Sequence, residues 1–289
     1  MTTTVRNPAE LEPAERAVAI GTFDGVHRGH RATIEAAMAT GLRSAVVTFD
    51  PHPRRVLGYE VELVSTLGRR IELIGDIGPD ELLVLEFTPE LARLEPEEFV
   101  RAVLEPLGTR VVVAAESFRF GQGRRGDVEL LRRLGLDVQI VPQVEGVSSS
   151  RVRELLRAGD VVGAAALLGR PAEVEGLVVA GDQRGGTLGF PTANMAVEPG
   201  LLVPAHGIYA GSALGRRAAA SIGVNPHYGG SERRIEAFLL DYEGDLYGQN
   251  LRLELWQRLR DERAFASEDE LVRQIAADVE AALQAVRPS

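Results

Sequence analysis

The amino-acid sequence predicts an α/β chain in two parts: a parallel sheet flanked by helices, then a small β-barrel followed by a C-terminal helix. Three observations carry this. Up to about residue 160, short runs rich in Val, Ile and Leu alternate with helical stretches. Beyond residue 170 the β-like runs follow one another closely and are parted by Gly and Pro. The last stretch opens on an N-capping signal and then repeats apolar residues at every fourth position.

The apolar runs of the first part are residues 17–20, 44–49, 82–87, 110–114 and 138–141, with helical stretches such as 31–39 and 96–107 between them. Uninterrupted apolar strands alternating with helices suit a parallel sheet buried on both faces. A Rossmann-like sheet of this kind takes its ligands at the carboxyl ends of the strands. Residues 149–157 and 161–168 read as two further helices, and Gly169-Arg-Pro171 stops the second. The division is placed at residue 165, giving domains 1–165 and 166–289. Residues 175–179, 207–211, 218–223, 235–241 and 251–259 are β-like, and their close spacing predicts a small barrel. Ser267 and Glu270 read as a capping box, and Leu271, Ile275, Val279 and Leu283 put an apolar face on the final helix.

Composition narrows the chemistry. A length of 289 residues suffices for two cores. The absence of cysteine excludes disulfides, thiolate nucleophiles and cysteine zinc sites. A net charge of −10 argues against a nucleic-acid partner, because phosphate backbones need basic surfaces. No apolar run reaches the roughly 18 residues of a membrane span, and residues 1–16 are polar, so neither a membrane partner nor a signal peptide is expected. The expected location is the cytoplasm, and the expected state a monomer or weak homo-oligomer. The chain also lacks lysine. Phosphate must then be held by arginine, histidine or backbone N–H groups.

One constellation is Gly21-Thr-Phe-Asp-Gly-Val-His-Arg-Gly-His30, which runs from an apolar strand through a turn into a helix. The first-turn N–H groups of a helix lack helical partners and attract anions. His27 and His30, spaced i, i+3 at that helix mouth, can both face one ligand and stabilise charge on departing phosphate oxygens. Capping or packing would explain either histidine alone, and a zinc pair would need a third ligand that is not evident. With Gly21, Gly25 and Gly29 in a strand–turn–helix setting, the nucleotide reading is favoured.

A second constellation is Gly181-Asp-Gln-Arg-Gly-Gly-Thr-Leu-Gly-Phe-Pro-Thr-Ala-Asn194. Its glycines let the backbone approach a ligand and turn N–H groups inward as an anion nest. Thr192 and Asn194 offer hard oxygen ligands two residues apart, suited to Mg²⁺ bridging ATP phosphates. A glycine-rich loop alone is weak evidence, since most are turns.

With Thr48-Phe-Asp-Pro-His-Pro53, Phe118-Arg-Phe-Gly121, Val147-Ser-Ser-Ser-Arg-Val-Arg153 and Phe190-Pro-Thr-Ala-Asn194, these stretches resemble, in order, the motifs of the bacterial bifunctional riboflavin kinase/FAD synthetase family. The first constellation is similar to the HxGH signature of adenylyl-transferring nucleotidyltransferases. The resemblance implies an N-terminal nucleotidyltransferase domain that makes FAD and pyrophosphate from FMN and ATP. It implies a C-terminal riboflavin kinase barrel that makes FMN from riboflavin and ATP with Mg²⁺. On its ground Gly21, Phe23, Asp24, Gly29, Ser148, Ser149, Ser150 and Arg151 are expected to hold ATP in the first domain. Gly181, Arg184 and Gly189 are expected to do so in the second. Ser117, Phe118, Arg119 and Arg260 are carried over as flavin contacts, Thr192 and Asn194 as metal ligands, and His27 and His30 as catalytic. Glu236, which alternation sets on the face opposite Ile235, is carried over as the base for the ribityl 5′-hydroxyl; on a strand of unknown function it would read as an exposed carboxylate. Ser117 stands where that family has Asn or Asp, and Gln122 and Gln183 stand where lysine is common. The competing readings are a monofunctional kinase, a flavin-binding or regulatory protein without turnover, and an adenylyltransferase for another vitamin phosphate fused to an unrelated barrel, which Phe190-Pro-Thr-Ala-Asn194 opposes.

Overall fold

A computed structural model describes residues 2–181, 190–224 and 233–289. The chain forms two compact units, one of Met1–Val61 and Ser65–Val147, the other of Glu62–Val64 and Ser148–Ser289.

The first unit holds a six-stranded sheet of β1 (Thr3–Val5), β2 (Arg16–Ile20), β3 (Arg43–Asp50), β4 (Glu81–Glu86), β5 (Thr109–Ala115) and β6 (Asp137–Val141). All its pairings are parallel and the order is β1-β4-β3-β2-β5-β6. Every residue of β2 is buried, as expected of a central strand covered on both faces. Alternation divides its side chains between two cores. Val18 and Ile20 pack with Val47, Leu83, Phe99, Val103 and Leu131 on one face. Ala17 and Ala19 pack with Val46, Ile34 and Ile74 on the other. That second face carries α1 (Arg28–Met38) and α3 (Leu67–Gly75), while the short α2 (Pro53–Val56) follows β3. The first face carries α5 (Pro96–Phe99) and α6 (Val128–Arg133), with α4 (Pro89–Arg93) before them. The single helix expected over 96–107 is in fact α5 running into a π-helical turn, Val100–Leu104.

Strand order reverses between β2 and β5. The chain runs outward from β2 through β3 to β4, then returns to lay β5 on the other side of β2. Ligands of open α/β sheets bind outside the carboxyl ends of the strands at such a switch point. Two motif segments, Gly21 to His30 and Ser117 to Gly121, follow the carboxyl ends of these two strands.

The second unit opens with α7 (Ser149–Arg157) and α8 (Val161–Leu168), whose Val152, Leu156, Val161 and Ala164 join the barrel core. Gly169 closes α8 in the left-handed conformation at φ 72°. The closed barrel follows: β7 (Ala172–Val179), β8 (Ala193–Ala196), β9 (Gly207–Ala213), β10 (Arg216–Val224), β11 (Arg233–Leu239) and β12 (Asn250–Arg260), in the order β10-β11-β8-β7-β12-β9. Ile222, Ile235, Ala237 and Leu253 fill its interior.

The terminal helix α9 (Glu268–Gln284) packs on β9 and β10 from outside. Ser267 Oγ accepts the Glu270 N–H, as the capping signal predicts. The Glu270 carboxylate takes the N–H of Ala266 instead of that of Ser267. The buried stripe of α9 is Asp278 and Ala282, continued by Ala285, and the small residues sit beside Trp256 and Ala210. Leu271, Ile275 and Val279 are only half-buried, and Leu283 is exposed. The apolar face read from the sequence is therefore not a core face; its first three members line a cavity.

Two candidate active sites

In the first unit, β2 ends at Ile20 and the turn that follows is tight, with Phe23 at φ 48° and Val26 at φ 38°. Phe23 and Asp24 are both buried. Phe23 packs edge-on to His30, with ring centroids 5.2 Å apart. Asp24 Oδ1 accepts the Ser65 N–H at 3.2 Å, and Ser65 Oγ accepts the Gly25 N–H at 3.1 Å. These two side chains shape the turn from within.

His27 caps α1: its Nδ1 accepts the His30 N–H at 3.2 Å. The two imidazoles stack, centroids 3.5 Å apart and 15° from parallel. Both histidines thus stand together at the first turn of α1, the positive end of the helix dipole, which favours an anion. A Cβ at Gly29 would come within 3.3 Å of the His27 ring, so the glycine leaves room for the cap.

Beneath the turn lies Arg70, which the sequence did not single out. It is buried on α3, donates from Nη1 to the Thr22 carbonyl at 2.8 Å and from Nη2 to the Phe49 carbonyl at 3.0 Å. Burial pushes this guanidinium below its ordinary pKa, and the carboxylates of Asp24 and Asp50 oppose that shift. Its only sequence signal is arginine in a helical stretch, which ordinarily means a solvated face.

After β5, Ser117 and Arg119 are exposed, while Phe118 is half-buried and stacks on Phe120 at 5.6 Å. Arg119 Nη1 donates to the Phe118 carbonyl at 2.8 Å. In the second unit Ser148 caps α7, its Oγ accepting the Arg151 N–H at 3.1 Å. Ser149 is half-exposed, Ser150 and Arg151 are exposed, and Arg151 pairs with Glu154 at 2.9 Å.

The barrel carries a cavity of about 450 Å³ on the outer side of β8, β10 and β11, walled on its other side by α9. Cross-strand register builds its polar end. Glu236 on β11 faces Asn194 on β8 and Ser221 on β10. Ile235 and Ala237 point into the core, so Glu236 points out into the cavity, as alternation predicts. Thr192 Oγ1 donates to Glu236 Oε2 at 3.3 Å. Arg234 Nε lies 2.8 Å from Glu236 Oε1 and 2.8 Å from Asn194 Oδ1. Gly181 is held against the Asn194 amide; a Cβ there would come 2.1 Å from Nδ2. Arg184 and Gly189 lie outside the described residues.

The other end of the cavity is apolar. Phe190 and Phe238 meet edge to face at 5.4 Å, and Phe265, Leu271, Ile275 and Val279 complete the wall. Arg260 lines it too, but its guanidinium is engaged along one edge and on one face. It donates to Asp278 Oδ1 at 2.9 Å and Oδ2 at 2.6 Å, and it lies over the Phe265 ring at 5.8 Å. Arg234, Ser221, Glu262 and Asp278 line the cavity without having been singled out from the sequence, since a polar or charged residue normally marks a solvated position.

A cavity with carboxylate, hydroxyl and amide oxygens at one end and aromatic rings at the other suits a ligand with a polar chain on a flat ring system. Among the described residues no group of three or more His, Cys, Asp or Glu is arranged to hold a metal ion. Thr192, Asn194 and Glu236 nonetheless present hard oxygens of three kinds at one spot, which fits a divalent cation that draws its remaining ligands from phosphate and water.

Comparison with known proteins follows the same division. A family model described as FAD synthetase matches residues 9–153, and one described as riboflavin kinase matches residues 168–286. The Bacillus subtilis (strain 168) bifunctional riboflavin kinase/FMN adenylyltransferase is 34% identical over 296 residues, covering 94% of this chain and 93% of its own. The Pseudomonas fluorescens protein of the same name is 37% identical over 306 residues, covering 99% and 98%. A crystal structure from Streptococcus pneumoniae, named a macrolide-efflux protein, aligns with a TM-score of 0.89 at 30% identity over 99% of each chain. Among the described residues of the present chain, no helix is long and apolar enough to cross a membrane.

Proposed function

The chain belongs to the bifunctional riboflavin kinase/FMN adenylyltransferase family, and from that premise we propose that it phosphorylates riboflavin in its barrel and adenylylates FMN in its N-terminal domain. The observation that carries the kinase half is the cross-strand pairing of Glu236 with Asn194, with Thr192 on the same carboxylate. Glu236 accepts the proton of the ribityl 5′-hydroxyl as that oxygen attacks the γ-phosphorus of ATP, and ADP leaves. Thr192 and Asn194 are the residues that would hold Mg²⁺, and the ion when bound would draw charge from the phosphate oxygens. The aromatic end of the cavity takes the isoalloxazine ring, with Arg260 at its edge. Gly181, Arg184 and Gly189 belong to the segment proposed to receive the phosphates.

In the N-terminal domain, an FMN phosphate oxygen attacks the α-phosphorus of a second ATP and pyrophosphate leaves. The nucleophile is already an anion, so no strong base is required. His27 and His30 donate to the departing pyrophosphate, next to the N–H groups of α1, while Phe23 and Asp24 hold the turn and Gly21 and Gly29 admit the nucleotide. Ser148, Ser149, Ser150 and Arg151 serve as further phosphate ligands, and Ser117, Phe118 and Arg119 as flavin contacts. The functional domains are 1–165 and 166–289, in keeping with family matches at 9–153 and 168–286. The protein acts in the cytoplasm as a monomer or weak homo-oligomer, with no nucleic-acid or membrane partner.

The test is Glu236→Gln, assayed separately with riboflavin and with FMN, each with ATP and Mg²⁺. Loss of a general base typically lowers the rate by about 10²–10⁴. FMN formation should fall by that factor while FAD formation from supplied FMN continues at the wild-type rate. A folded variant that loses both activities equally would overturn the two-site reading.

A further inference from the structure

Arg70 has no part in the roles assigned above, yet it is a buried cation beneath the N-terminal site. It is 4% exposed and reaches from α3 to two carbonyls, Thr22 at 2.8 Å and Phe49 at 3.0 Å. A staple between α3 and the end of β3 would explain the second bond. The first meets a carbonyl that is already supplied, since Thr48 Oγ1 on β3 also donates to Thr22, at 3.0 Å. Two donors therefore fix one peptide group, in the turn where the chain leaves β2.

The direction of that peptide follows. The Thr22–Phe23 bond is trans, and a trans peptide is planar with its N–H opposite its carbonyl. Thr48 and Arg70 draw the carbonyl toward β3 and α3. The Phe23 N–H then faces away from both, on the side where β5 lies beyond β2. There the strand order reverses, and there such sheets take their ligands. Among the described residues no hydrogen bond engages this N–H, although Phe23 is buried and buried N–H groups are rarely left unpaired.

We propose that Arg70 is a positioning residue for adenylyl transfer: it holds the Thr22 carbonyl down, so that the Phe23 N–H stays aimed at a polyphosphate oxygen of the nucleotide. The proposal rests on the adenylyltransferase reading above. Arginine suits the task because its donors stand in a fixed planar fork. One side chain thereby spans the ends of β2 and β3 and sets the turn against the ladder.

The experiment reads the N–H directly. Thr-Phe occurs at 22–23 and at 48–49. The full chain, labelled with ¹³C-carbonyl threonine and ¹⁵N phenylalanine, therefore gives two carbonyl–amide correlations by nuclear magnetic resonance, and Thr48→Val identifies the one from Phe23. Adding ATP with Mg²⁺ should move the Phe23 amide proton downfield in wild type, and Arg70→Gln should lose that movement. Its kcat for FAD synthesis should fall at least about tenfold, toward the roughly 10²–10³-fold loss of a donor removed outright, with riboflavin phosphorylation unchanged. Leu73→Ala controls for a merely structural role, since it loosens α3 from the same core. It should lower the melting temperature yet keep the Phe23 shift, and keep kcat below that transition. Arg70→Lys, which keeps the charge without the fork, should show part of the same loss and serves if the glutamine variant fails to fold. A Phe23 amide that ATP does not move, an Arg70→Gln protein with wild-type kcat, or a Leu73→Ala loss equal to that of Arg70→Gln overturns the proposal. A wild type whose Phe23 amide responds to ATP but which makes no FAD would count against the adenylyltransferase reading and leave the aim of this N–H standing.

Discussion

Replacing Asp278 by Ala separates two ways in which Arg260 can serve the cavity under α9, to which the proposed function assigns riboflavin. Asp278 accepts two hydrogen bonds from Arg260, at 2.9 and 2.6 Å, and one from Gln274 at 3.0 Å. The pair joins the end of β12 to the middle of α9, the helix whose Leu271, Ile275 and Val279 wall the cavity. Hydrogen bonds to charged groups contribute about 1.5–3 kcal/mol each in mutational series. The Arg260 side chain is 21% exposed and keeps a bond to the Asp261 carbonyl, so water meets part of the loss. A net destabilisation of about 2–3 kcal/mol is expected, or roughly a 6–12 °C fall in the barrel's melting transition. If Arg260 acts by holding α9, Asp278→Ala and Arg260→Ala raise KM for riboflavin by similar factors and leave kcat nearly unchanged. If the guanidinium contacts the flavin directly, Arg260→Ala is worse by tenfold or more. Calorimetry and riboflavin kinetics on both variants decide. An Asp278→Ala protein with wild-type melting and wild-type KM would refute the account of how this wall is held.

Three further outcomes are expected. His30→Ala should slow FAD synthesis by roughly 100-fold, the loss seen on removing one transition-state donor, with riboflavin phosphorylation unchanged; wild-type FAD synthesis would reduce the stacked histidines to a helix cap. Ser117→Asn should leave FAD synthesis unchanged or improve it several-fold, the scale of one neutral hydrogen bond at about 0.5–1.5 kcal/mol, measured as KM for FMN. Burial pushes the Glu254 carboxyl up, but hydrogen bonds from Arg287 and Trp256 outweigh it and hold the group below its ordinary 4.5. Its contribution is thus complete above that value and lost as pH falls through the depressed folded value. Acid unfolding of the barrel should therefore show a component that Arg287→Ala abolishes, read as melting temperature against pH.

The parallel sheet was legible because buried strands leave an unmistakable run, such as residues 17–20 and 44–49. Edge strand β1 left no such run: of its three residues only Val5 is buried. Strand β8 was hidden inside a motif read as a ligand loop, where Asn194 is both a ladder member and a cavity residue. In α9 the period was legible, and what the face meets was not. A stripe of large apolar residues reads as core, whereas here alanines and an ion-paired aspartate face the barrel and the large residues face a cavity. Glu236 was legible through alternation and resemblance together. Arg70 and Arg234 were not, because an arginine's sequence context is the same whether its guanidinium meets water or a carbonyl.

Closure of the barrel has a consequence for how this chain can vary. Glu236 lies on a strand paired on both sides, so its register is written twice, against Ser221 and against Asn194. Inserting or deleting one residue ahead of both Ile235 and Glu236 in β11 would turn the carboxylate into the barrel core and drive Ile235 out of it. An open sheet could absorb such a change at a free edge, but a closed one has none. Changes in length then fall outside the ladders or at bulges, such as those in β12 between Leu255 and Gln257 and between Arg258 and Arg260. The face that carries Glu236 is thus more readily altered by substitution than by a change in strand length.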